Sequence, residues 1–231
     1  MRSGLAGMRA LLDTLARRWG RADLWRRHGE RRLPSEQYWR EPITWNDQAA
    51  REDGPFRVFC ASMADVFEDH PALPGERDRL WDLIDRTPAL TWMLLTKRVE
   101  NAARMAPWPQ WPANVWLGCS VETQRWADAR VPVLLDQPAA VRFLSCEPLL
   151  APVDLSRWIQ RLDWIIVGGE SGARARPMNP EWARLIRDHS VAARVPFFFK
   201  QVGGRTPRAG GRELDGRTWD EWPTPRGEPL I

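Results

Sequence analysis

The sequence has little of several residue types, and each shortage narrows the classes of protein it can belong to. Its three cysteines, Cys60, Cys119 and Cys146, are odd in number and widely spaced, which excludes a disulfide framework and favours a reducing cytoplasm. No apolar run reaches the roughly 18 residues that would predict a membrane span. Arginines interrupt the apolar positions near Met1, so no signal peptide is expected.

Lysine is nearly absent as well. The 34 basic residues include only Lys97 and Lys200, and the rest are arginine. Such a bias exchanges lysine for arginine wherever the two are equivalent. Positions that keep lysine are therefore candidates for sites that need a compact, titratable amine.

The positive charge is concentrated at the N-terminus. Residues 1–32 contain nine arginines and three acidic residues, a balance of +6 in a chain whose total is +4, so the remainder carries −2. This segment is either a solvated helix face or a surface that binds nucleic acid. Charge alone does not choose between them.

The chain divides into four segments. Residues 1–20 are predicted to form an amphipathic helix and residues 21–55 an irregular connection. Residues 56–202 are predicted to form a (β/α) barrel core. Residues 203–231 are a tail rich in Gly, Pro and Arg, with one short ordered piece around "LDGRTWDEWP".

Six apolar runs in the core segment predict strands. They lie at 56–60, 92–96, 115–119, 141–146, 164–168 and 196–200. Helical patterns lie between several of them, at 75–88, at 154–162, from Asn179 as N-cap, and after Gln124, where Pro132 predicts a kink or a split.

Continuous hydrophobic strands separated by helices favour a parallel α/β sheet, either open and doubly wound or a (β/α) barrel. No G-x-G-x-x-G follows the first strand, which weakens the doubly wound dinucleotide-binding alternative.

Each predicted strand ends in charged or hydrogen-bonding residues. In parallel α/β folds these ends share one face, where functional sites form. The catalytic candidates are Glu147, Glu170, Lys97 and Lys200. The cofactor-binding candidates are Ser120, Glu122, Gly168, Gly169 and Asp65. Carboxylates and amines at one mouth suit a small anionic or polar ligand and acid–base chemistry, and the glycine turn could approach a phosphate.

The cysteines allow a metal interpretation beside a structural one. Each follows a different predicted strand, so three thiolates could meet and bind zinc or an iron–sulfur cluster. No short C-x2-C pair supports this, and small buried thiols are common in protein cores. No metal site is assigned.

Eight stretches in order resemble one known family. They are "VFCASMADVF", "LLTKR", "VWLGCSVE", "RFLSCEPLL", "IIVGGESG", "RPMNPEW", "PFFFKQ" and "LDGRTWDEWP". The family is the phage-associated one labelled gp thirty-seven/gp sixty-eight, of unknown function, and the resemblance covers roughly residues 11–223. It is similar to radical S-adenosylmethionine (SAM) proteins, which implies a TIM-barrel-like fold, a [4Fe–4S] cluster and SAM.

The sequence departs from this family at the cluster. The family's first strand and three-cysteine loop precede a helix resembling "LLDTLARRWG", and no cysteine precedes Cys60 here. The resemblance therefore implies an incomplete barrel that lacks its first strand and holds no cluster in the chain as written. Val202 also stands where the family commonly has Trp.

Three hypotheses stay open. The first is a SAM-radical-like enzyme whose cluster segment lies upstream of a misplaced start codon. The second is a non-catalytic barrel that binds an anion or nucleic acid, and the third is a decayed phage remnant. None of them identifies the substrate.

Overall fold

The computed structural model of the protein describes residues 31, 33–52, 56–60, 64–206 and 209–224. In this part of the chain the helices are α1 (Glu36–Ala49), α2 (Pro74–Asp85), α3 (Ala102–Met105), α4 (Gln124–Leu135) and α5 (Pro180–Ala193). The strands are β1 (Phe56–Cys60), β2 (Leu90–Thr96), β3 (Val115–Ser120), β4 (Val141–Cys146), β5 (Trp164–Gly168), β6 (Phe197–Gln201), β7 (Glu213–Leu214) and β8 (Arg217–Thr218). The amphipathic helix predicted for residues 1–20 lies outside the described residues.

Strands β1 to β6 form one parallel sheet in which the spatial order equals the chain order. A doubly wound sheet reverses its order at a switch point, so that alternative is excluded. Because β-crossovers are right-handed, chain order throughout places the connecting helices on one face. The sheet curls into a half-barrel with helices outside, which confirms the predicted incomplete (β/α) barrel. Within the described residues, β1 has β2 as its one neighbouring strand.

The two faces of the sheet bury different side chains. Alternate residues such as Leu94, Leu117 and Ile165 point outward into a large core shared with the helices. The opposite, inner face carries a cluster of aromatic side chains that we call the inner aromatic cluster: Phe59, Trp116, Phe143, Trp164, Phe198 and Trp222. Burial on both faces explains why the strands read as continuous hydrophobic runs.

The predicted irregular connection at residues 21–55 is wrong over its second half, where α1 forms. Ser35 is its N-cap, and the Ser35 hydroxyl accepts a hydrogen bond from the backbone N–H of Tyr38. The helix continues through Pro42, which is buried. Packing against β1 and β2 outweighs the weak helix propensity of this polar segment.

Two other helix predictions also need correction. Helix α4 is continuous through Pro132 and is not split. The segment 154–162 forms only a 3-10 turn at Ile159–Arg161, in place of a helix. There the Asp154 carboxylate accepts a hydrogen bond from the N–H of Ser156 at 2.8 Å. This Asx turn offers the backbone an alternative to a helical first turn.

The C-terminal segment packs along the edge of the sheet. Strands β7 and β8 form a hairpin around Asp215 and Gly216, both with positive φ, as a two-residue Asp-Gly turn requires. The chain then runs antiparallel along β6, where the N–H of Phe199 donates to the carbonyl of Trp219. This edge of the half-barrel is therefore covered. Among the described helices, none has the length and apolar character needed to cross a bilayer.

Candidate functional site

The carboxyl ends of β2 to β6 carry the polar side chains predicted from the sequence. We define the mouth by the following residues: Lys97, Ser120, Glu122, Ser145, Glu147, Gly168 and Lys200. The mouth residues lie at the ends of successive strands because those strands are parallel and in register. Below them the inner aromatic cluster fills the interior.

Glu147 and Lys200 meet across an intervening strand. Lys200 Nζ lies 3.1 Å from Glu147 Oε1 although β5 separates β4 from β6. Ser145 Oγ donates to the other carboxylate oxygen, Oε2, at 3.2 Å. The residue of β5 at this level is Gly168, and a Cβ there would lie 2.7 Å from Glu147 Oε1. Gly168 thus leaves the space that this ion pair occupies.

Glu122 joins the second lysine to a helix. Its Oε1 forms a close ion pair with Lys97 Nζ, and its Oε2 accepts from Arg130 of α4 at 3.1 Å. The same arginine donates to the carbonyl of Ser120 at 2.7 Å. With both oxygens occupied, the Glu122 carboxylate is fixed at the strand end.

Asp65 fixes the segment that follows β2. One carboxylate oxygen accepts from the hydroxyl of Thr96 at 2.6 Å, and the other accepts from the backbone N–H of Lys97 at 3.0 Å. Arg98 donates to it at 2.9 Å. Because Asp65 orders the backbone on which Lys97 stands, it has the geometry of a positioning residue.

Glu170 has a different partner from the other predicted carboxylates. It accepts hydrogen bonds from the backbone N–H and the guanidinium of Arg176 at 2.7 to 3.1 Å. These bonds lower the pKa of Glu170. The pKa of Arg176 is raised first by Glu170 and more weakly by Glu122.

Gly169 is held by backbone contacts. A Cβ at Gly169 would lie 1.9 Å from the carbonyl oxygen of Val202. Its N–H donates to the carbonyl of Gln201, whose side chain donates back to the carbonyl of Gly169. Close approach of two backbones explains this glycine, and a contact with phosphate stays a prediction for both Gly168 and Gly169.

Sequence reasoning missed Arg130. The buried face of α4 consists of Ala127, Arg130, Val131, Leu134 and Leu135. A guanidinium in the middle of an apolar stripe is costly unless it is paired. The position of Arg130 among apolar residues at helical spacing could have indicated a buried, paired arginine. It did not stand out because the chain contains many other arginines.

The mouth exposes its cations more than its anions. The side chains of Lys97 and Lys200 are 52% and 43% exposed, whereas those of Glu122 and Glu147 are 12% and 14% exposed. Each ammonium has three N–H donors, and one contact with a carboxylate leaves donors facing solvent. The arrangement can therefore accept an anionic group from outside.

The three cysteines do not form the metal site that their positions at strand ends allowed. All three pack into the helix-facing core, on the opposite side of the sheet from the inner face. Burial raises the pKa of Cys60 and Cys119 to about 12 and also raises that of Cys146, whereas a metal ligand must be a thiolate. In the described part of the chain, no group of three or more His, Cys, Asp or Glu could hold a metal ion. The packing of the three cysteines against the core agrees with their structural interpretation.

Comparisons with known proteins agree with the extent of the sequence resemblance. No curated protein and no solved structure matches the chain. One family model matches residues 9–223, which is nearly the whole chain. The chain belongs to that family, which is described as a protein of unknown function (DUF5131).

Proposed function

We propose that the mouth of the half-barrel binds a small ligand carrying carboxylate or phosphate groups. The observation that carries this proposal is the layering of charge, with half-exposed ammonium groups above nearly buried carboxylates. In this arrangement Lys97 and Lys200 donate to the ligand. Glu122 and Glu147 hold the lysines in place rather than bind ligand themselves.

Several features support an anion over a cation as the ligand. A cation would have to reach carboxylate oxygens that are already occupied by Lys97, Arg130, Ser145 and Lys200. An anion needs only the donors that remain on the ammonium groups.

Catalysis at the mouth would use the same groups. An ammonium can give a proton to a bound ligand and regain one from solvent, while the neighbouring carboxylate keeps the amine in position. Lys200 with Glu147 has this geometry, with a hydroxyl from Ser145 on the second oxygen. We infer that this pair is the catalytic one if the protein is an enzyme.

The radical-SAM-like activity and the phage association implied by the resemblance remain proposals. The half-barrel supports the first of them, and Cys60, Cys119 and Cys146, which face the helices, do not supply the cluster ligands that it requires. Anaerobic purification with iron and acid-labile sulfide analysis tests it. Stoichiometric iron with an absorbance shoulder at about 400 nm would support the enzyme and contradict a cluster-free binding protein.

Thermal unfolding with inorganic phosphate, pyrophosphate and succinate tests the proposal of an anion site. A ligand at 100 times its Kd stabilises the folded state by about 2.7 kcal/mol. We expect at least one of these anions to raise the Tm of the wild-type protein, and Lys97→Gln or Lys200→Gln to reduce the shift.

The matched control is Arg86→Gln. It also removes one positive charge, but Arg86 caps the C-terminal end of α2, at the edge where β2 begins. Arg86→Gln should keep the full shift. An equal loss in all three variants would show that only net charge matters and would overturn the proposed site.

A further inference from the structure

The inner face contains a charged group that the mouth does not use. Arg57 lies in β1, and its guanidinium carbon is 4.2 Å from the ring centre of Trp222 and 5.9 Å from that of Trp116. Its Nε is buried without a hydrogen-bond acceptor. No carboxylate among the described residues forms an ion pair with it.

Trp116 presents a second buried donor to the same region. The residue is 2% exposed, and its indole N–H has no acceptor. An unsatisfied buried donor costs about 1–3 kcal/mol, and such groups are rare in folded proteins. The Nε–H of Arg57 and the indole N–H of Trp116 are two such donors in the same region. We therefore expect an acceptor that is not part of the described chain.

Several comparable groups elsewhere in the described part of the fold are satisfied. The indole N–H of Trp92 donates to Thr87 at 3.0 Å, and that of Trp164 donates to the carbonyl of Glu221 at 2.9 Å. Arg98 and Arg130 each contact a carboxylate. The indole N–H of Trp39 also lacks an acceptor, but the arginine that stacks on that ring, Arg79, is paired with Glu36. At Trp116 the unsatisfied indole lies beside an arginine that has no carboxylate partner among the described residues.

Arg57 lies on the less buried side of the inner face, among the described residues. It stands on β1, whose five residues are all half-buried, while β3 with Trp116 is buried along its whole length. The guanidinium thus extends from β1, across the neighbouring strand β2, toward Trp116 on β3. Among the described residues, β1 is therefore the less buried side of this region.

The surroundings restrict the chemistry of that ligand. A guanidinium fork binds a carboxylate through two parallel hydrogen bonds, and the indole N–H is a further donor. The neighbouring walls are the rings of Phe59, Trp116 and Trp222, which favour an apolar or aromatic body. A doubly charged phosphate would lose more hydration in such a place than a single carboxylate does.

We propose that Arg57 and Trp116 form a binding site for the carboxylate of a small aromatic or apolar acid. The carboxylate lies between the guanidinium and the indole N–H, and the apolar part of the ligand contacts the inner aromatic cluster. This site is separate from the mouth and does not depend on the function proposed there.

The test uses phenylacetate as the probe and 2-phenylethanol as its uncharged analogue, with the full chain. The indole N–H resonance of Trp116 is assigned by its absence in Trp116→Phe, which keeps an aromatic ring but removes the donor. We expect phenylacetate to shift this resonance and the alcohol to leave it unchanged. Trp116→Phe should weaken binding by about fivefold and Arg57→Gln by at least about tenfold.

Two control variants distinguish this site from a general effect of charge and from binding at the mouth. Arg79→Gln removes an arginine that also stacks on a tryptophan, Trp39, on the outside of the fold, and should bind phenylacetate normally. In Lys200→Gln the shift of the Trp116 resonance by phenylacetate should be unchanged, since Lys200 belongs to the mouth. If Arg57→Gln does not fold, Arg57→Lys keeps the charge without the fork and should bind several-fold more weakly.

Three results would overturn the proposal. Phenylacetate could leave the Trp116 resonance unshifted, the alcohol could bind as well as the acid, or the Arg57 variants could bind like the wild type. Stabilisation by inorganic phosphate that depends on Arg57, with no response to phenylacetate, would also contradict the assignment of a carboxylate.

Discussion

Gly168→Ala is the substitution that best isolates the ion pair at the mouth. The new methyl carbon would lie 2.7 Å from Glu147 Oε1 and 3.3 Å from its Cδ and Cγ. Ordinary contact begins at 3.4 Å, so the carboxylate must move by about 0.7 Å. Because the obstacle is the end of a side chain, it can move, at a cost of about 1–2 kcal/mol.

The displacement has a functional consequence larger than its cost in stability. Moving Oε1 away from Lys200 lengthens a contact that is now 3.1 Å, and the ammonium loses the anchor that orients it. We therefore expect Gly168→Ala to fold, to lose about 1–2 kcal/mol of unfolding free energy, and to bind anions as weakly as Lys200→Gln does.

Two other glycines calibrate the measurement. At Gly169 a methyl group would lie 1.9 Å from the carbonyl oxygen of Val202, a backbone atom that cannot rotate away, so Gly169→Ala should cost about 3 kcal/mol or more. At Gly75 in α2 nothing lies within 4 Å, so Gly75→Ala should gain about 0.5–1 kcal/mol. Urea unfolding followed by tryptophan fluorescence gives all three values.

The result that would refute this reasoning is specific. If Gly168→Ala has wild-type stability and wild-type anion affinity, then Gly168 is not the gap that lets Glu147 meet Lys200. If it instead loses as much stability as Gly169→Ala, the backbone rather than the carboxylate is the obstacle.

Three further predictions concern other parts of the fold. Because burial raises the pKa of Cys119 to about 12, an aromatic disulfide reagent at about pH 8 should modify it only after unfolding; rapid reaction of the native protein would contradict its core position. Hydrogen bonds, chiefly from Arg184, lower the pKa of Asp215 from 3.8 to about 2, so its stabilisation is complete above 3.8 and is lost as the pH falls toward 2. The Tm of Asp215→Asn should accordingly lie below that of the wild type at neutral pH, and the two should converge near pH 2; a constant difference would refute this. Trp222 stacks on Trp164 with ring centres 4.6 Å apart, so Trp222→Ala should lose about 2–3 kcal/mol, measured by urea unfolding, and an unchanged midpoint would show that the segment is dispensable.

The strands were predictable because a parallel sheet buried on both faces leaves a clear sequence signal. The runs at 141–146 and 164–168 coincide with β4 and β5, and Asn179 caps α5 by accepting from the N–H of Glu181. The barrel order itself needed the structure, since hydrophobic runs do not say which strand lies beside which.

The errors have a common physical cause, which is tertiary contact outweighing local pattern. Residues 154–162 show helical spacing, but only one 3-10 turn forms there. Leu155, Trp158 and Ile159 are nevertheless buried, without a helix to place them on one face. Helix α1 forms despite Pro42 because it packs against the sheet. Neither outcome is encoded in a window of a few residues.

At the mouth the sequence indicated which residues lie together but not how they pair. The two lysines were recognisable because they are the chain's only ones. The pairing of Lys200 with Glu147 across β5 depends on a missing side chain at Gly168, and a glycine in a sequence does not say what occupies its space. The role proposed for Arg57 could not be predicted from the sequence, because it depends on the absence of an acceptor near its Nε in the folded chain.

The most direct test of the central claim uses the two lysines as probes. Labelling the protein with ¹³C at lysine Cε gives side-chain signals from Lys97 and Lys200 alone, each assigned with its Gln variant. Titration with the anion that stabilises the protein most should shift both signals with one and the same Kd. If that anion binds and neither lysine signal moves, the mouth is not its site and the proposed function is wrong.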